Sequence, residues 1–517
     1  MKITSVLFVL ISSFQLSAQL STEYIDSVVQ TSMKAMPHAG VAVAVVKDGK
    51  VIHSKGYGIA SLSSGKKVDE NTRFSIASNS KAFTTTALGM LVDQGKLAWT
   101  DKVIDILPEF RMYDPYVTEH FMVVDLVTHR SGLGLGAGDL MFIPDGSDFT
   151  VEDVIPSFQY QKSTSEFRTK YDYDNLLYIV AGEVIHKISG KPWDTFIEEE
   201  IMTPLGIKES AGYRENLSSK KNVAMPHSSE GGKLVEINEY NDPNKLFGAA
   251  GGIYASVNDL SKWMLFHLNG GNLDDDTLLT KETHAKMWNA ETMLHFNAEG
   301  SGPYNNHFEA YGLGWSMEDQ NGYTIVSHTG GMPGMLSQTV LIPELNAGIV
   351  VLTNAAPGGY SFISVANEIK DELIGLETDI DWVNRMLKYI EYSESQADDF
   401  VSEVWATCEK AKSIDLDLDL FAGTYKDDWF GEVSIENRDG ELWFVSKRSP
   451  RLTGKMSYYQ ANTFAIAWEY KEMNCDAFAS FTLDENGKGI AIKMKGISPN
   501  IDFSFDFHDL DLLRVEE

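Results

Sequence analysis

Cysteine is almost absent from this sequence of 517 residues, which has two, Cys408 and Cys475. Two cysteines exclude a disulfide-stapled scaffold and a Cys-rich metal site. They fall in segments that read as different elements, which ranks two buried thiols ahead of a bridge, with neither residue a nucleophile or a metal ligand. Positive charge is also scarce: 43 Lys and Arg stand against 74 Asp and Glu, a formal net of -31. So acidic a chain is a poor partner for nucleic acid or an anionic membrane surface. Several chemistries lack their motifs. Gly-x-Ser-x-Gly is missing, which removes the α/β-hydrolase nucleophile elbow. His-Glu-x-x-His and Gly-x-x-x-x-Gly-Lys-Ser/Thr are missing too, and the 12 histidines do not cluster at metal spacing. Beyond the N-terminus no apolar run reaches about 18 residues, so no membrane-spanning helix is expected in the mature chain.

What is present begins at Met1-Lys2, a short basic start followed by apolar Ile3 to Ile11 and a small residue, Ala18, before Gln19. This pattern predicts a signal peptide over 1–18 and an exported protein, periplasmic or secreted. From Ser21 to Met36 the apolar residues Ile25, Val28, Val29 and Met33 recur on one helical face, ahead of Pro37. Gly40 to Ser54 reads as a hairpin around Asp48-Gly49. Residues from about 100 to 310 read as helices and loops, and strand signals return at Tyr323 and Gly348. This places a helical insertion between the two ends of a sheet, an α+β arrangement. Residues 376–414 read as a helical linker. From 415 the period changes to two, with turns at Asp439-Gly440 and Asn486-Gly487, which predicts a small all-β domain over 415–517. Asp415-Leu-Asp-Leu-Asp-Leu420 alternates like a strand or linker and lacks the glycine and glutamate of a calcium loop.

The chemistry starts at Ser75-Ile-Ala-Ser-Asn-Ser-Lys-Ala-Phe83, where an extended approach turns into an apolar helix. Ser78 sits at the helix start and Lys81 one turn later on the same face. Unpaired N–H groups and positive potential collect there, a place suited to a serine nucleophile and the oxyanion it creates. The plainest reading of Ser-x-x-Lys alone is a capping serine and a surface lysine. Three further stretches stand out: Leu126-Val-Thr-His-Arg-Ser-Gly-Leu133, Tyr171-Asp-Tyr-Asp-Asn-Leu-Leu-Tyr178 before a helix ending at Gly190, and Val326-Ser-His-Thr-Gly-Gly-Met-Pro-Gly334.

Together these segments resemble the penicillin-recognising serine hydrolases, the branch of class C β-lactamases and D,D-peptidases. That family reads Ser-x-x-Lys, Tyr-x-Asn and a Lys- or His-x-Gly strand, here Ser78-Asn-Ser-Lys81, Tyr173-Asp-Asn175 and His328-Thr-Gly330. Thr128 to Leu133 and Gly251 to Asp259 are similar to its recurrent segments, and the likeness covers residues 25 to 370. It implies a β-lactamase/transpeptidase-like fold, an antiparallel sheet flanked by helices, over 19–375. The β domain resembles the lipocalin-like barrels that follow such domains.

The resemblance implies that Ser78 forms an acyl-enzyme, with Lys81 or Tyr173 as base. Asn175 would bind a substrate carbonyl and hold Lys81. His328, Thr329 and Gly330 would line the substrate strand, and the N–H groups of Ser78 and Gly331 would meet the oxyanion. Well-known β-lactamases of the branch carry lysine at position 328, and its esterases and D-aminopeptidases often carry histidine. A histidine holds a substrate carboxylate only when protonated, so His328 ranks peptidase or amidase first, esterase second and β-lactamase third. His129 is expected to orient its loop. No metal or organic cofactor is required, the partner is a small-molecule or peptide substrate, and the oligomeric state is open. The competing class is a non-catalytic ligand-binding sensor. Because every motif precedes residue 370, a chain ending near Gly375 is expected to keep some turnover.

Overall fold

A computed structural model describes residues 20–36, 39–229, 233–273, 276–356, 360–376 and 380–515. The signal-peptide reading of 1–18 and the helix stop at Pro37 lie outside these residues.

A nine-stranded antiparallel sheet forms the body of the first domain. Its first strand, Gly40–Lys47, pairs with its last, Ala347–Thr353, with Val41 opposite Thr353. The two chain ends of the domain thus meet in mid-sheet, and the sequence between them is free to form a second layer. Gly40–Lys47 is buried on both faces, and its alternation sorts side chains by size. Val41, Val43 and Val45 pack with Ile25 and Val29 of helix Thr22–Ala35 and with Val365 and Ile369 of helix Ser361–Ile374. Ala42, Ala44 and Val46 face the larger core, where the short side chains admit helix Val257–Leu268.

Helices Ser80–Asp93 and Leu176–Ser189 pack against each other at the centre of the insertion. Ser80 through Leu91 are all buried, so that helix is enclosed on every side rather than amphipathic. Leu176–Ser189 ends where Gly190 turns left-handed, at φ 75°.

The sheet begins earlier than expected. Thr292–Ser301 and Asn306–Tyr311 are strands in a region that reads as helix and loop, and Ser316–Gln320 is a strand ahead of the signal at Tyr323. They form one margin of the sheet, and Met293 and Phe296 point outward there, which blurs the two-residue period. The segment Asp415 to Leu420 also differs. It closes into a short 3₁₀ turn at Leu418–Leu420, where the Asp417 carboxylate accepts the Asp419 N–H. Leu416, Leu418 and Leu420 still pack against the core.

The C-terminal strands close into an eight-stranded barrel, with Tyr425 of the first opposite Arg514 of the last. Helix Trp382–Ala411 joins the two domains as a strut. At one end the Trp382 indole donates to Asp371 at 2.8 Å. At the other, Val404 and Cys408 pack with barrel residues Ala465, Phe478 and Ile497. Cys408 and Cys475 are both buried as thiols. Across the interface Arg448 bonds Asp148 and Asp153, and Phe149 packs on Phe430. Among the described residues no helix is long and apolar enough to cross a membrane.

Candidate active site

Ser78 lies in a single 3₁₀ turn, Ala77–Asn79, that feeds directly into helix Ser80–Asp93. Ala77 just before it is held at φ 45°, a left-handed conformation that costs an alanine energy and persists only where its surroundings impose it. The surroundings are visible. Ile76 donates its N–H to Ile253 O at 3.0 Å, and Ile253 returns its own N–H to Ser80 Oγ at 3.1 Å. On the other side Asn79 Nδ2 donates to Ser337 Oγ, whose hydroxyl donates to Ile76 O, both at 2.8 Å. The nucleophile turn is therefore clamped between the insertion and the sheet.

Lys81 is fully buried one turn on. Its Nζ donates to Ser78 Oγ at 3.0 Å, Asn175 Oδ1 at 2.7 Å and Ala250 O at 2.9 Å. Burial lowers its pKa from 10.5 to about 7, and the carboxyls of Asp139 and Asp174 oppose that fall. Near neutral pH a substantial share of Lys81 is thus a free amine whose lone pair can take the Ser78 proton. The Tyr173 ring lies 4.8 Å from Lys81 Nζ, and Ser78 is among the groups that act on its phenol. Burial pushes the phenol well above its usual range, so Tyr173 is protonated and placed to pass a proton rather than to start as the base. The two are nevertheless coupled through Ser78, and a pH profile will report the group.

Asn175 heads helix Leu176–Ser189, its Oδ1 on Lys81 and its Nδ2 donating to Asp139 Oδ2 at 2.8 Å. His129 is buried at φ 53°, accepts the Asp174 N–H at 3.0 Å on Nδ1 and lies 4.2 Å ring to ring from Tyr173. Burial and Lys81 hold it neutral, in keeping with an orienting role.

His328, Thr329, Gly330 and Gly331 come from strand Tyr323–Met332. Its pairing with Ser316–Gln320 ends at Ser327, whereas the pairing with Met335–Ile342 runs on to Met332. Residues 328–332 therefore present an edge toward the nucleophile turn. A Cβ on Gly330 would lie 2.1 Å from Ile76 O and 3.0 Å from Ser78 N, so only glycine lets the strand approach this closely. Thr329 and Gly331 are exposed on the cleft. Beside Met332 a pocket is lined by Tyr213, Arg214, Asp242, Phe247 and Gly252.

His328 differs from expectation. It is buried, its Nδ1–H donates to Thr329 O at 2.5 Å, and its Nε2 accepts the Tyr311 hydroxyl at 3.0 Å. Burial and Lys81 push its pKa from 6.5 down to about 3. Both ring nitrogens are occupied and the ring is neutral, so it cannot offer a charge to a substrate carboxylate. The expected role as a pH-dependent carboxylate binder is corrected to a neutral support of the strand. A histidine whose folded pKa is depressed gains its proton only far below neutrality. The ratio of kcat/KM for a matched pair of substrates, with and without a carboxylate, should thus stay level from about pH 7.5 to about pH 5.5. A ratio that climbs with a midpoint near 6.5 would show the imidazole freed from Tyr311. Tyr311 itself has no motif that marks it; only strand pairing brings it to the site.

The barrel also reaches the site. Ser504 Oγ donates to Asp139 Oδ2 at 2.7 Å, and the Phe503 ring meets Tyr173 edge-on at 5.9 Å. Asp506 accepts the N–H groups of Gly138 and Leu140 at 2.7 and 2.9 Å. A chain ending near Gly375, expected to keep some turnover, would retain the Asn175 donor to Asp139 but lose the Ser504 donor and the Phe503 wall of the Tyr173 pocket.

A serine bonded to a buried lysine, a phenol beside the lysine and a glycine strand edge opposite meet on a β-lactamase/transpeptidase-like fold. Residues 25–371 match the Beta-lactamase family, and the chain belongs to it. Residues 409–514 match the domain of unknown function DUF3471. The chain is 27% identical to unguisins hydrolase ungD of Aspergillus violaceofuscus over 442 residues, 80% of this chain and 76% of that protein. It is 25% identical to protein flp of Staphylococcus aureus strain MRSA252 over 338 residues, 65% of this chain and 63% of that protein. Among solved structures, the octameric penicillin-binding protein homologue of Pyrococcus abyssi covers 96% of this chain with all of its own, at TM-score 0.60 and 21% identity. The D-amino acid amidase of Ochrobactrum anthropi SV3 covers 68% of this chain with 97% of its own, at TM-score 0.55 and 21% identity.

Proposed function

We propose that this chain is an exported serine hydrolase that cleaves an amide bond in D-amino-acid or peptidoglycan-type material through a Ser78 acyl-enzyme. The observation that carries the reading is the Lys81 amine, bonded to Ser78 Oγ at 3.0 Å with a pKa near 7. Ser78 attacks the carbonyl as its proton passes to Lys81. The oxyanion forms against the N–H groups of Ser78 and Gly331, the Tyr173 phenol protonates the leaving amine, and water then releases the acyl group. The edge of residues 328–332 offers main-chain groups to an extended peptide, as an added strand would. A neutral His328 favours substrates without a carboxylate at that position, which keeps amide and ester hydrolysis ahead of β-lactamase activity. Export rests on the basic and apolar pattern of residues 1–18.

The test is a fluorophosphonate probe followed by a substrate panel. Covalent labelling of the native protein is expected, with turnover of D-amino-acid amides exceeding that of penicillins. Absence of any adduct would favour a ligand-binding sensor of the same fold, and faster turnover of penicillins would overturn the substrate ranking.

A further inference from the structure

A loop of the C-terminal barrel, residues 497–511, threads between the joining helix and the catalytic domain. Asn500 Nδ2 ties it to Ser393 O of the helix at 2.6 Å. Asp506 then caps the short turn Asp139–Met141 from a fully buried position. Between these anchors Phe503 lies on Gly136 and Tyr173, and Ser504, itself buried, meets Asp139. Asp139 is fully buried as well, and its Oδ2 takes both hydrogen bonds, one from Ser504 and one from Asn175. Its Oδ1 finds no partner among the described residues.

From this geometry we infer that Ser504 is a positioning residue of the catalytic site, holding Asp139 so that the Asn175 amide is fixed with its oxygen on Lys81. The inference rests on the reading of Ser78 and Lys81 as the acylating pair. An amide has two ends of opposite character, and Lys81 needs the oxygen end. Asp139 selects that orientation by accepting from the Nδ2 end. Burial drives this carboxyl toward protonation, and its two donors, Ser504 and Asn175, oppose that rise. With Ser504 removed, Asp139 is held by Asn175 alone and takes up a proton more readily. Its hydroxyl then competes for Asn175 Oδ1, and the amide is free to turn away from Lys81.

The pH consequence has a definite sign. Lys81 is faced by Asp139 and Asp174, by His129 and His328, and by Tyr173 and Tyr178. Asp139 is faced by Asp174, Asp506, Tyr173, Tyr240 and Lys81. A protonated Asp139 no longer favours the Lys81 ammonium, so the lysine loses its proton at lower pH.

The experiment measures the second-order rate of fluorophosphonate acylation from about pH 5.5 to 9 in the full chain and in Ser504→Ala, Ser504→Thr and Ser504→Val. Arg448→Ala, which breaks the barrel contacts to Asp148 and Asp153, serves as an interface control. Ser504→Ala is expected to lower the plateau about tenfold, the size of one hydrogen bond to a charged group. Its acid limb should also move to lower pH. Ser504→Thr should restore both features, and Ser504→Val, which has the threonine shape without the hydroxyl, should not. The Thr and Val pair decides the matter if the alanine variant fails to fold. A native plateau and limb in the hydroxyl-free variants overturns the inference, as does the same change in Arg448→Ala. A native chain that takes no label at Ser78 overturns the reading of the site and this inference with it.

Discussion

Ser78→Ala is expected to abolish covalent labelling and turnover while leaving the protein folded. The loss is total because the hydroxyl is the bond-forming atom, and nothing in the site substitutes for it. Ser80 is buried and accepts the Ile253 N–H, which commits its oxygen to the fold. Ser131 is buried too, with its Oγ accepting the Leu133 N–H. Stability should change little. Lys81 keeps Asn175 Oδ1 and Ala250 O after the serine oxygen is gone, so no buried charge is orphaned. One lost hydrogen bond at a half-exposed position is worth about 1 kcal/mol. Labelling mapped by mass spectrometry to Ser80 or Ser131 would sink the assignment of the nucleophile.

Lys81→Ala is expected to slow acylation by about a hundredfold or more, the usual scale for losing a general base. The truncation strands two buried acceptors, Asn175 Oδ1 and Ala250 O, at about 1–3 kcal/mol each, so folding must be followed alongside rate. Lys81→Met keeps the volume and serves as the companion variant. Tyr173→Phe should bring a loss of similar size, since in the proposed step the phenol beside Lys81 delivers a proton to the leaving group. The double variant should lose far less than the product of the two, because lysine and phenol act on one proton path. Losses that simply multiply would show that the two work independently. In the native enzyme kcat/KM should rise with pH through about 7, where Lys81 loses its proton. The midpoint belongs to the cluster of Lys81, Asp174, Asp139 and Tyr173 rather than to the lysine alone. A rate that is flat from about pH 6 to 9 would exclude a neutral lysine as the working base.

Much of this was legible in the sequence because it is carried by short segments. Ser78 and Lys81 are three residues apart, so the turn that joins strand to helix brings them together whatever the rest of the chain does. Tyr173 and Asn175 precede a helix marked at its end by Gly190, and the glycines of 330 and 331 announce a strand that something must approach. The α+β class, the sheet built from both ends of the first domain and the separate all-β domain all follow from apolar periods and turn residues. The outer strands 292–320 were not legible, because an edge with outward Met293 and Phe296 has no clean alternation.

Tertiary structure decided what the groups at the site are able to do. The charge of His328 depends on burial, on Lys81 and on Tyr311, and the last is a partner 17 residues away with no motif of its own. The pKa of Lys81 likewise depends on being buried between Ala250, Asn175 and two carboxyls drawn from distant segments. The contact of Ser504 with Asp139 spans 365 residues and two domains. A serine in a barrel loop has no local pattern that points to a carboxyl in another domain, since only the docking of the barrel brings the two together. Residue types and spacing along the chain thus determine which atoms can react, whereas solvent exclusion and long-range packing determine their protonation and their hold on one another.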